Sequence, residues 1–324
     1  MKIRNLLLFL FATLLIQASY GQKKTSPVAM HGHLHIEGNK LLDEHNQPVQ
    51  FKGMSFFWSQ WMPQYYNKQV VSWLADDWKC SIVRAAMAVD HGGYLENPYP
   101  EMGKVETIVK AAQKKGIYVI IDFHAHEAHT DIHAAKVFFA EMAQQFGHLP
   151  NVIYETFNEP LQYPSWDTIL KPYHEAIIDT IRHHDPDNII VCGTRQWSQL
   201  VEEAAKNPIK DTNIAYTLHY YANTHKEYFR QEATRAMELG ACLMVTEFGI
   251  CSANGNGDIN YEESELWFDF LEKNNISWCN WSVSDKEETA SILKPDASSR
   301  GFWAKEELTE SGIYIRKKIR GDNE

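Results

Sequence analysis

Two glutamates stand where the chain could do acid–base or nucleophilic work. Glu159 closes the stretch Asn151-Val-Ile-Tyr-Glu-Thr-Phe-Asn-Glu-Pro160, an apolar, β-branched run that stops at a proline. Pro160 has no N–H to give a neighbouring strand, so a central strand cannot run through it. Glu247 occupies the same place in Leu243-Met-Val-Thr-Glu-Phe-Gly249. Each carboxyl is expected at the C-terminal mouth of a strand, the two facing each other across one cleft. Such a pair suits glycosidic cleavage through an oxocarbenium-like transition state. One carboxyl must be protonated to donate to the leaving oxygen, and the other ionised to attack or to activate water. Like charges in proximity raise the pKa of one member. Arg84 would hold its neighbour ionised, which points to Glu247 as the charged member if the guanidinium reaches it.

The elements that must position these groups alternate with regularity. Strand-like runs over 51–55, 81–87, 117–124, 151–157, 188–193, 213–219, 241–246 and 276–281 are separated by amphipathic helical stretches. The helices cover 70–79, 105–115, 134–146, 167–184, 199–206, 226–239, 261–273 and 313–319, with Gly116, Gly147 and Gly240 as stop signals. Eight strands alternating with eight helices is the count of an α/β protein of the (β/α)8 TIM-barrel type. An open doubly wound sheet would want a glycine-rich phosphate turn after its first strand, and Met54-Ser-Phe-Phe57 offers none. Ahead of the barrel, 34–51 is expected to form a short N-terminal β-hairpin turning at Asp43-Glu-His-Asn46.

A barrel of this kind carries its site at the C-terminal ends of its strands. Those ends bring up Arg84, His124, Asn158, Glu159, His219, Tyr221, Glu247 and Trp281, with Trp197 a few residues past the fifth strand. Each alone could be a local cap or pair; together they surround two carboxylates with polar and aromatic groups. His124-Ala-His126 resembles the His-x-His metal pair of barrel amidohydrolases, but that pair belongs on the first strand and this one closes the third. His126 and His129 are therefore expected on a loop, and neither a metal nor a cofactor is expected.

The N-terminus bears on compartment. Basic residues at Lys2 and Arg4, an apolar run over 6–16 and small residues at Ala18, Ser19 and Gly21 have the grammar of a secretory signal peptide. The run is too short to span a bilayer. The expected organisation is a signal peptide over 1–21, a loose leader over 22–33, with the histidines of His31-Gly-His33-Leu-His35 exposed, and a catalytic barrel over 34–324. The product is secreted or periplasmic, without a membrane association after cleavage, and monomeric. A net charge of −11, rising to −13 when Lys2 and Arg4 are lost, argues against a nucleic-acid partner. The Trp, Tyr and Phe residues, 10, 15 and 15 in number, suit stacking on sugar faces as well as core packing. Five cysteines without C-x-x-C spacing are expected as buried free thiols, with one disulfide left open.

The combination of Gly53-Met-Ser55, Val83-Arg-Ala-Ala-Met87, Val119-Ile-Ile-Asp-Phe-His124, Asn158-Glu-Pro160, Trp197-Ser-Gln199, His219-Tyr-Tyr-Ala222, Thr246-Glu-Phe-Gly249 and Asn280-Trp-Ser282 resembles glycoside hydrolase family 5, specifically the bacterial endo-β-1,4-glucanases of the cellulase type. The resemblance runs through nearly all of the chain beyond the signal segment. It implies Glu159 as acid/base, Glu247 as nucleophile, Asn158 on the sugar 2-hydroxyl, and Arg84, His124, His219 and Tyr221 as the polar shell. It further implies Trp281 and Trp197 as stacking platforms and Lys286 as a loop contact to substrate. Retention of configuration through a covalent glycosyl-enzyme is implied too, on a β-glucan polysaccharide or oligosaccharide. Soluble or amorphous glucan is the expected substrate, and mixed-linkage glucan, xyloglucan and mannan are alternatives. One departure stands out: Phe56-Phe57-Trp58 occupies a place where many relatives carry a histidine, with Trp61 available there as a platform.

Overall fold

The computed structural model describes residues 26–322. Eight parallel strands close into a barrel: β1 (Lys52–Phe56), β2 (Ile82–Ala88), β3 (Tyr118–His124), β4 (Val152–Glu155), β5 (Ile190–Cys192), β6 (Ile214–Thr217), β7 (Leu243–Gly249) and β8 (Trp278–Val283). They pair in that order and β8 returns to β1. Tyr220–Tyr221 resumes the line of β6 after a two-residue break and pairs with the outer end of β7. Every residue of β2, β3 and β7 is buried. Near-continuous apolar strands are what a sheet covered on both faces requires, so the Arg, Asp, His and Glu embedded in them need partners inside the barrel.

The helices form the outer layer. Trp78, Trp166 and Trp267 are fully buried in it, which accounts for much of the aromatic content by packing alone. All five cysteines are buried free thiols. No helix of the described residues is long and apolar enough to cross a membrane.

Three local expectations are corrected. The signal segment and residues 22–25 lie outside the described residues, but the rest of the expected loose leader is built into the floor of the barrel. Ser26 caps a helix over Pro27–His31, and Val28 N–H donates to Gly116 O at 2.9 Å. His31 Nδ1 lies 2.9 Å from Asp43 Oδ2, and Leu34 is buried, so this histidine-rich stretch is not an exposed tail. The hairpin pairs His35–Glu37 with Lys40–Leu42 around Gly38 and Asn39. Gly38 takes the positive φ that the tight turn needs. The turn at 43–46 is real, held by Asp43 Oδ1 accepting from His45 and Gln47, yet it leads only to a single bridge between Leu42 and Pro48. Finally, β4 ends at Glu155 rather than Phe157.

His174 gives the fold a pH dependence. It is fully buried, with Nδ1 2.8 Å from Thr156 Oγ1 and Nε2 2.9 Å from Gly193 O. Burial lowers its pKa from 6.5 to about 4 despite the Gly193 bond. The native imidazole is therefore neutral, whereas the unfolded chain takes up a proton below about 6.5. Its contribution is complete above that pH and is lost as the pH falls toward 4, a loss of about 3 kcal/mol in all. Thermal unfolding followed from pH 7 to 4 should show a shallower decline for His174→Asn than for the wild type; parallel declines would rule His174 out as the source.

Candidate active site

At the C-terminal mouth of the barrel, one arginine organises four strands. Arg84, fully buried on β2, donates through Nε and Nη2 to the two oxygens of Glu155 at 2.7 and 3.1 Å. Nη2 also reaches Asn158 Oδ1 at 2.7 Å and Asp122 Oδ2 at 2.9 Å. Nη1 reaches Glu247 Oε2 at 3.0 Å and Ser55 Oγ at 3.3 Å. Burial would lower its pKa, but Asp122, Glu155 and Glu247 more than offset this and hold it cationic. A planar fork of five donors is the group that can serve so many acceptors at once.

Glu247, on β7, is gripped at both oxygens: Arg84 takes Oε2 and Tyr221 O–H donates to Oε1 at 3.0 Å. The Tyr221 ring reaches it because position 249 is glycine. A Cβ there would stand 2.4 Å from the tyrosine ring. Glu159 sits beyond β4 in a loop whose course is fixed from three sides. Glu159 N–H donates to Ala125 O, Ser198 O–H to Asn158 O at 2.6 Å, and Trp197 N–H to Pro160 O at 2.8 Å. Gly193 permits the close passage, since a Cβ there would meet Phe157 O at 2.1 Å. With Asn158 Oδ1 committed to Arg84, its amide N–H groups are the ones left to donate to a ligand.

The sequence-read set converges. Oxygens of Glu159 and Glu247 and a nitrogen of His219 all lie within 4.8 Å of one another. His219 Nδ1 stands 2.9 Å from Glu159 Oε1, and its Nε2 stands 2.9 Å from Thr246 Oγ1. Thr246 O–H lies 2.7 Å from Glu155 Oε1. Burial would lower the His219 pKa, but hydrogen bonds to Glu155 and Glu159 raise it to about 9. Both its nitrogens then carry protons at neutral pH. Among the described residues this trio is the one donor group close enough to share an ion, and His219 has no lone pair to offer it. His124 and His126 do not join such a group. His124 Nδ1 is 2.7 Å from Asp122 Oδ2, and its ring stacks on Trp281 at 5.2 Å.

Aromatic walls flank the pair. Phe57 packs against Trp281 at 5.1 Å, and Trp58 and Trp61 lie 5.2 Å apart, with Trp61 half exposed. Phe57 presents a ring that Lys286 Nζ overlies at 5.4 Å while pairing with Glu288. Trp197 is 40% exposed on a turn beyond β5. A cavity of about 490 Å³ between the 256–259 and 286–289 loops includes Lys286 but none of the groups around the carboxylates.

Three contributors escaped the sequence. Asp122 and Glu155 lie inside strands and looked like lapses in apolar runs, although a charge in a strand closed on both faces is itself the signal. His126 does lie on the loop after β3, and from there its Nε2 stands 3.2 Å from Glu159 Oε2, a contact the sequence does not announce.

One further observation runs against expectation. Burial raises the Glu159 pKa, but the hydrogen bonds from His126 and His219 outweigh it and bring it down to about 2. Glu247 is pushed above its ordinary 4.5 by burial and the Glu159 charge, which His219, Arg84 and Tyr221 only partly oppose. Arg84 does reach Glu247, but its charge is divided among three carboxyls. Of the two, Glu159 is thus the more readily ionised.

A carboxyl pair this close, set in a parallel barrel between sugar-sized aromatic faces, defines a glycoside hydrolase. The comparisons agree on which. Residues 42–287 match the model of Cellulase (glycosyl hydrolase family 5), and the chain belongs to that family. Endoglucanase N of Pectobacterium atrosepticum is 41% identical over 98% of this chain and 72% of its own length. Endoglucanase Z of Dickeya dadantii is 46% identical over 89% of this chain and 66% of its own length. Among solved structures, one from Cytophaga hutchinsonii superposes with a TM-score of 0.91 at 54% identity, covering 92% of this chain and 97% of that one. The catalytic domain of Thermobifida fusca endoglucanase Cel5A gives 0.88 at 34% identity, covering 91% and 99%. A variant of the latter was solved in complex with cellotetraose.

Proposed function

We propose that the protein is a secreted, retaining endo-β-1,4-glucanase in which Glu159 is the acid/base and Glu247 the nucleophile. The observation that carries the mechanism is the spacing: carboxyl oxygens within 4.8 Å fit the roughly 5–5.5 Å separation of retaining pairs rather than the roughly 6.5–9.5 Å of inverting ones. In the first step Glu247 attacks the anomeric carbon while Glu159 gives its proton to the departing sugar oxygen, leaving a glycosyl ester on Glu247. In the second, Glu159 takes a proton from water, whose oxygen attacks the same carbon and frees Glu247. Asn158 N–H groups hold the 2-hydroxyl, His219 and Tyr221 fix the two carboxyls, and Trp281, Trp61 and Trp197 offer ring faces to successive glucosyl units. Lys286, over the Phe57 ring, contacts a sugar hydroxyl. The substrate reading is supported by the endoglucanase names of relatives at 41 and 46% identity and by the cellotetraose held by a relative at 34%. Export is supported by the signal-peptide grammar of residues 1–21.

Two measurements test this together. NMR of the first product from a soluble β-1,4-glucan should show the β-anomer; an initial α-anomer would overturn retention. Glu159→Gln should lower kcat on glucan by about 10²–10⁴-fold, while glycosylation by an aryl cellobioside with an acidic phenol, which departs unaided, is largely kept. A panel of glucan, mixed-linkage glucan, xyloglucan and mannan ranks the substrates by kcat/KM.

A further inference from the structure

The two imidazoles on Glu159 are held very differently. His219 is buried and fixed at both nitrogens, by Glu159 Oε1 and Thr246. His126 leaves 40% of its side chain in solvent, and beyond the bond to Glu159 Oε2 its ring has the Trp58 ring 5.6 Å away. Oε1 is therefore committed to the wall of the barrel. Oε2 is the oxygen left to meet the glycosidic oxygen, and His126 stands on it.

We propose that His126 is a positioning residue for the acid step: it occupies the leaving-group position at Glu159 Oε2 and loads that oxygen with its proton as the sugar enters. The inference rests on the reading of Glu159 as the acid. The imidazolium donates Nε2–H to an ionised Glu159. The incoming sugar oxygen is an acceptor, so it displaces a donor and removes one of the two bonds that favour the carboxylate. The Nε2–H bond breaks, an Oε2–H bond forms, and the neutral ring swings into solvent. That O–H bond then breaks as the glycosidic oxygen takes the proton; in the second step the attacking water protonates Glu159, which hands that proton back to Nε2 of His126 as the product leaves. The groups facing His126 favour a loaded ring: Glu159 beyond β4, Glu247 on β7 and Asp90 beyond β2. Burial and the neighbouring His124 on β3 oppose them. Burial lowers the His126 pKa, but the Glu159 hydrogen bond and charge, with Glu247 and Asp90, carry it above 6.5. The scheme also explains why the acid of the reaction is the firmly ionised carboxyl of the resting site.

The test is the pH profile of kcat/KM for wild type, His126→Ala and His126→Gln on a cello-oligosaccharide and on dinitrophenyl β-cellobioside. Without His126 the alkaline limb on the oligosaccharide should move to lower pH by about one unit, the size one charge-assisted hydrogen bond sustains. Gln restores a donor but no transferable proton, so it should behave like Ala. The dinitrophenyl substrate, which needs no proton, should show neither effect. An unmoved limb, equal losses on both substrates, or recovery by Gln overturns the proposal while leaving the Glu159 reading standing. Full activity of Glu159→Gln on the oligosaccharide would overturn both.

Discussion

A Glu247→Gly variant is expected to lose on the order of 10⁴- to 10⁶-fold in kcat on glucan, and to regain part of it when azide is added. Glycine removes the nucleophile and leaves a small cavity lined by Arg84 Nη1 and Tyr221 O–H, the two donors that held its oxygens at 3.0 Å each. An anion of azide's size is attracted by the same two donors. It can attack the anomeric carbon from the Glu247 side while Glu159 still protonates the leaving oxygen. The product should be the α-glycosyl azide, inverted relative to the β-substrate, because the second displacement no longer follows. The measurement is product release with and without azide, with the anomer identified by NMR. Activity retained without azide, or a β-glycosyl azide, would remove Glu247 from the role of nucleophile.

Arg84→Met should be nearly as damaging to activity and far more damaging to the fold. The guanidinium is wholly buried and lies within 3.1 Å of oxygens of Asp122, Glu155, Asn158 and Glu247. Methionine fills the volume but leaves Glu155 in particular as a buried, uncompensated charge, held low mainly by Arg84 and His219 against a desolvation that would raise it. Removing one partner of a buried ion pair costs about 3–5 kcal/mol. Arg84→Lys keeps the charge without the fork, so it should recover part of the stability and little of the activity. Chemical denaturation paired with kcat measures both. A Met variant as stable as the wild type would mean that the carboxyls become neutral by taking up protons at no net cost and that Arg84 is not the hub.

The barrel was legible because it is written in period and punctuation. Apolar runs such as 117–124 and glycine stops such as Gly116 survive any tertiary context that covers both faces of the sheet. Glu159 and Glu247 were legible for the same reason, since a carboxyl at a strand end followed by proline or glycine is a local pattern. The site's second tier was not. Asp122 and Glu155 reveal their purpose only when β2 lies between β1 and β3 and brings Arg84 to them. His126 meets Glu159 across 33 residues of sequence. The Trp197 turn is a different failure. Gln196, Trp197 and Ser198 all take φ near +57°, with no glycine among them to announce it. Each costs roughly 1–2 kcal/mol in that region, and the turn persists because Pro160 O and Leu161 O capture the Trp197 and Gln196 N–H groups from the neighbouring loop. No reading of residues 195–198 alone could supply those partners.

The way the floor of the barrel is closed fixes how the molecule can be tethered. The helix over Pro27–His31 and its following hairpin seal the end opposite Glu159 and Glu247, with Leu34, Leu41 and Phe51 packed on Tyr118 and Ile153. The last helix, Glu310–Arg320, finishes on the same side, where Arg320 meets Asp77 just ahead of β2. Whatever is joined to either end therefore leaves from behind. A surface, a linker or a neighbouring domain held there keeps the mouth that carries Glu159 and Glu247 pointed away from its own anchor.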